Sequence, residues 1–71
     1  MTLEEFAKKA GVKIVPSEFE DGKFDYQEED SPNTTVTGFG NKDALYRFWL
    51  IETFGKRTAT AIRALLKEEG K

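Results

Sequence analysis

The sequence predicts an α+β fold in the order α-β-β-β-α-α, a three-stranded antiparallel meander with the helices packed on one face. Three observations carry that expectation. A Thr-x-x-Glu box opens an amphipathic stretch at residues 2–10. Alternating and β-branched segments, separated by turn residues, fill residues 12–39. Two helical periodicities, each followed by Gly, then occupy residues 44–54 and 56–69.

The first helix follows from Thr2-Leu3-Glu4-Glu5, in which the Thr2 hydroxyl can accept from the Glu5 amide while the Glu5 side chain reaches back. Leu3, Phe6, Ala7 and Ala10 fall at helical spacing with Lys8 and Lys9 outward, and Gly11 is the stop. Val12-Lys13-Ile14-Val15 has strand-forming residues, and Pro16 restricts it to an edge or a bend.

Asp21-Gly22 is a favoured pair for a two-residue type I′ turn. Pairing outward from it sets Phe19 opposite Phe24 and Ser17 opposite Tyr26. Phe19, Phe24 and Tyr26 then share one face, and Glu18, Glu20, Lys23 and Asp25 share the other. Residues 28–33 read as a polar loop, and Thr34-Thr35-Val36-Thr37-Gly38-Phe39 as the third strand.

Gly40-Asn41 ends that strand, with Asn41 as a helix N-cap and Asp43 in the first turn. Ala44 to Phe54 is apolar on most sides and is expected to be the central helix. Leu45, Phe48 and Trp49 are expected to face the sheet, and Tyr46 or Phe54 to keep some exposure. The last helix should bury Ala59, Ile62, Leu65 and Leu66 and end at Gly70.

The 71 residues leave room for one domain, 1–71. Absence of His and Cys excludes zinc fingers, haem ligation, thiol chemistry and every His- or Cys-based catalytic arrangement. Ser17 and Ser31 have no His to activate them, so an enzyme is not expected. The carboxylates of Glu20 to Asp25 lack the ligand spacing of a calcium loop, so no metal is expected. No cofactor is expected either: Gly38-Phe39-Gly40-Asn41 lacks the lysine of a phosphate-binding loop. The longest apolar run, Phe48 to Ile51, is too short to cross a membrane. The first residues lack a signal-peptide pattern, which makes the cytoplasm the expected compartment.

The net charge of −2 conceals a strong asymmetry. Residues 18–30 sum to −6 and residues 56–71 to +3. On the last helix, Lys56, Thr60, Arg63, Lys67 and Lys71 share a face, with Arg57 and Thr58 at its start. Such a face is a candidate nucleic-acid surface, carried by Lys56, Arg57, Thr60, Arg63 and Lys67. Glu18, Glu20, Asp25, Tyr46 and Phe54 are the candidate protein interface, for a partner protein or a second copy. A non-catalytic interaction module is therefore the first functional expectation, and a nucleic-acid-binding module the alternative.

Residues Thr2 to Val12 resemble the opening helix and turn of MerR-type and excisionase-type DNA-binding proteins, a resemblance resting on Thr, an acidic pair, an apolar pair and Gly-Val. Lys13-Ile14-Val15-Pro16 departs from it, reading as a strand where those families begin a second helix. In size, acid lean and lack of cysteine the chain resembles accessory proteins of phages and prophages. That likeness implies a regulator or inhibitor of a phage or host macromolecule.

Overall fold

A computed structural model describes residues 1–69 and shows the expected order of elements. Helix α1 (Leu3–Lys9) leads into β1 (Val12–Pro16), β2 (Phe24–Glu28) and β3 (Ser31–Phe39), then α2 (Lys42–Phe54) and α3 (Lys56–Glu69). The strands form one antiparallel sheet in the order β1-β2-β3. Gly70 and Lys71, assigned by sequence to the end of α3 and its basic face, lie outside the described residues.

Local chemistry sets the helix boundaries. The Thr2 amide donates to Glu5 Oε1 and the Glu5 amide to Thr2 Oγ1, both at 3.1 Å, which completes the capping box of α1. Asn41 Oδ1 accepts from the amides of Asp43 (2.8 Å) and Ala44 (3.3 Å), starting α2. The Gly40-Asn41 turn thus serves the strand-to-helix connection. Gly55 separates α2 from α3 with φ of +87°.

The core is Ala7, Val12, Tyr26, Leu45, Tyr46, Trp49, Leu50 and Ala59, with Leu3, Phe6, Ile14, Phe24, Phe39, Phe48 and Ile62 packed against it. Helix α2 is central: it meets the sheet on one side, α1 on another and α3 on a third. Phe48 packs on Phe39 (ring centroids 5.4 Å apart), whereas Trp49 packs on Phe6 (6.1 Å) and, edge-on, Phe54 (6.0 Å).

The β1–β2 register differs from the expectation by three residues. Tyr26 pairs with Ile14 rather than Ser17, and Phe24 with Pro16 rather than Phe19. This register places Val12 and Ile14 with Phe24 and Tyr26 against the helices. Pairing residues 17–20 would have offered the core only Phe19 and Ser17. Residues 17–23 consequently form a seven-residue connection, closed by the Ser17 amide donating to the Lys23 carbonyl at 2.9 Å. At its tip only Gly22 has positive φ (+76°), so Asp21-Gly22 does not adopt the type I′ geometry, which requires it at both positions. The tight connection lies instead at Glu29-Asp30, between paired Glu28 and Ser31, within the segment read as a longer loop.

In α3, Ala59 is buried and Ile62 and Leu66 are half-buried, but Leu65 is 60% exposed, contrary to expectation. Positions 59, 62 and 66 already complete the stripe facing α2, and Leu65 lies about a quarter of a turn from its centre.

Candidate functional site

Two surfaces gather the residues singled out by sequence. The first is the sheet face turned away from the helices. Because Val12, Ile14, Phe24 and Tyr26 point into the core, alternation sends Lys13, Val15, Asp25 and Gln27 to the opposite face. A groove of about 600 Å³ runs there, with Val15, Phe19, Gln27, Thr34 and Val36 among its lining. Gln27 Nε2 donates to Thr34 Oγ1 at 2.8 Å across the strands, giving the groove a fixed polar floor.

Phe19 is 75% exposed and Val36 59% exposed on this face. Ser17 Oγ holds the loop beneath Phe19 by accepting from the amides of Phe19 (3.2 Å) and Glu20 (3.3 Å). Glu18 and Glu20 are exposed beside that ring, as the sequence suggested. Asp25 is not: it is 2% exposed. Its Oδ1 accepts from the amides of Thr37 (3.0 Å) and Gly38 (3.1 Å), so the carboxylate serves β3 rather than an exposed acidic patch.

Tyr46 is also corrected. It is 4% exposed, with Glu4 and Lys8 of α1 nearby, and burial pushes its phenol up. Phe54 keeps 42% of its surface exposed, although it touches Phe6 and Trp49. The five proposed interface residues therefore do not form one patch. Phe19 and Val36 were missed. Exposure of a lone aromatic depends on register, which the turn signal at Asp21-Gly22 set incorrectly.

The second surface is α3. Lys56, Arg57, Thr60, Arg63 and Lys67 are all exposed. Thr60 Oγ1 donates to the Lys56 carbonyl at 2.9 Å, which leaves the hydroxyl oxygen facing outward only as an acceptor. Lys56 and Arg57 occupy the first turn with no acid there, the reverse of what the helix dipole favours. The four cations make no ion pair among the described residues.

Arg63 and Lys67 also border a cleft of about 290 Å³ between α1, α2 and α3, which Arg47 of α2 lines as well. Arg47 was not identified from the sequence. It lies on the helix assigned to the core, and only the packing of α2 on α3 brings it to the basic face. A third depression is lined by Lys8, Lys13, Lys42, Glu4, Glu28 and Glu29, so its charges balance.

Among the described residues, no group of His, Cys, Asp or Glu side chains comes together to hold a metal ion, and no helix is long and apolar enough to cross a membrane. Comparison with protein-family models, with curated proteins and with solved structures returns no match, so fold and surface chemistry carry the functional argument.

Proposed function

We propose that this chain is a non-catalytic interaction module that binds a protein partner on the open face of its sheet, acting as a regulator or inhibitor by occupying that partner's surface. The observation that carries this reading is Phe19, an aromatic ring 75% exposed over a groove whose other wall includes exposed Val36. Burying such a ring in a complementary pocket is how an interface gains a central anchor. Glu18, Glu20 and Asp21 beside it favour a partner segment with apolar residues flanked by Lys or Arg.

Affinity capture with the wild type, Phe19→Ser and the α3 variant Arg63→Glu tests this. A stoichiometric partner kept by wild type and Arg63→Glu but lost with Phe19→Ser supports the sheet face. A partner indifferent to Phe19 and Val36 substitutions would refute it. Sedimentation in the same series distinguishes a second copy from a different protein.

The nucleic-acid reading is favoured by one specific observation: the basic residues chosen by spacing emerge together, exposed and unpaired among the described residues, on α3. It expects duplex binding that weakens steeply with salt and is abolished by Arg63→Glu. Absence of a salt-sensitive anisotropy change with mixed-sequence duplex at low ionic strength removes it.

A further inference from the structure

We infer that the cleft where α1, α2 and α3 meet is a phosphate site, in which Arg47 joins Arg63 and Lys67 to clamp one backbone phosphate of a duplex lying along α3. The inference rests on the nucleic-acid reading and adds to it a residue from another helix.

Among the described residues, three cationic side chains line this cleft, and Asp43 is the one acid. Leu3 and Leu66 form apolar walls, which strengthen a charge interaction relative to open water. Arg47 supplies the specific feature. Its Nε lies 3.1 Å from Asp43 Oδ2, yet this buried atom has no aligned hydrogen-bond partner. Nε itself is covered beside that carboxylate, but 42% of the side chain is exposed, so the terminal N–H groups are the ones open to a phosphate oxygen entering the cleft. The planar guanidinium can then present paired N–H groups to that phosphate, which an ammonium cannot do.

Continuity selects the ligand. Arg63 and Lys67 are consecutive members of the stripe that begins at Lys56, and at 1.5 Å per residue that stripe runs about 16 Å. A ligand held in the cleft reaches Lys56 as well only if it carries anionic groups in series, as a nucleic-acid backbone does. A free phosphate fills the cleft and leaves the remainder of α3 unused.

The test is anisotropy of a labelled mixed-sequence duplex across a salt series, with inorganic phosphate as a second arm and circular dichroism to verify folding. Arg47→Gln is expected to weaken duplex binding about tenfold and lower the salt slope by about one. Arg47→Lys, which keeps the charge but loses the fork, should fall between. Asp43→Asn should tighten binding by freeing Arg47, and Lys9→Gln on α1 should leave it unchanged. Duplex binding abolished by Arg63→Glu but unaffected by Arg47→Gln overturns the cleft while the nucleic-acid reading stands. Absence of duplex binding by the wild type overturns both. Arg47-dependent binding of inorganic phosphate without duplex binding overturns the assignment of a polymer.

Discussion

The Asp25 carboxylate accepts the Thr37 amide at 3.0 Å, and the Thr37 hydroxyl donates to the Phe24 carbonyl at 2.8 Å, so adjacent strands are joined by reciprocal side-chain bonds. They bridge an irregular part of the ladder. Phe24 pairs with Phe39 and Tyr26 with Thr35, so three residues of β3 face one of β2. Two of the amides displaced there, those of Thr37 and Gly38, go to Asp25. The bulge lets Phe39 return to the helix side of the sheet and meet Phe48.

Asp25→Ala should therefore cost about 2–3 kcal/mol, because it removes a charged acceptor and strands two amides. Asp25→Asn, which keeps one oxygen, should cost less. Urea denaturation compares them, and amide exchange at Thr37 and Gly38 should accelerate in the alanine variant.

Gly11 and Gly22 separate two sources of backbone constraint. Both have positive φ, +93° and +76°, but a Cβ at Gly11 would lie 2.8 Å from Glu29 Cβ, whereas one at Gly22 meets nothing within 4 Å. Gly22→Ala should cost about 1 kcal/mol from conformation alone. Gly11→Ala should cost clearly more, because the chain there must also move away from Glu29, whose amide donates to the Gly11 carbonyl at 2.9 Å. Thermal melting gives the order.

The α1 cap has an acid limb. The Thr2 amide, and then its side chain, hold the Glu5 carboxyl below the usual glutamate range. A depressed folded-state pKa stabilises above the unfolded value and is lost as pH falls through the folded value. Glu5→Gln should remove this part of the acid sensitivity, read as a flatter dependence of the urea midpoint on pH on the acid side of the glutamate range.

The alkaline limb belongs to Tyr26 and Tyr46, both pushed up chiefly by burial. A raised phenol pKa gives stability that is complete below the unfolded value, about 10, and disappears as pH rises through the folded value. Tyr46→Phe should flatten the loss of stability above about pH 10, and the remaining phenolate absorbance should still appear late.

Phe19→Ser should change stability by less than about 0.5 kcal/mol, since the exposed ring has little packing to lose. Trp49→Ala should cost about 3–5 kcal/mol, because that side chain is 1% exposed at the centre of the core. The contrast, measured by denaturation, distinguishes an aromatic available for binding from one that holds the fold.

Much of the fold is legible in the chain. Thr2 and Glu5, Asn41, Gly11 and Gly55 mark boundaries that appear where their chemistry puts them, because a cap depends on residues within one turn of itself. The basic face of α3 is legible for the same reason: a helix has a fixed period, so spacing alone places Lys56, Thr60, Arg63 and Lys67 together.

Tertiary structure decided what depends on distant partners. Asp21-Gly22 is a sound local turn signal, but the register followed Val12 and Ile14, which bury more apolar surface than Ser17 to Glu20. That shift left Phe19 in solvent, while the bulge gathered Asp25 into the sheet. Packing of α2 on α3 turned Arg47, a residue of the core helix, into a neighbour of Arg63. The sequence by itself determined the order of the elements, the caps of α1 and α2 and the basic face of α3, since caps and helical spacing are short-range properties. Which faces meet, which remain open and which charges converge were decided by burial across the whole chain.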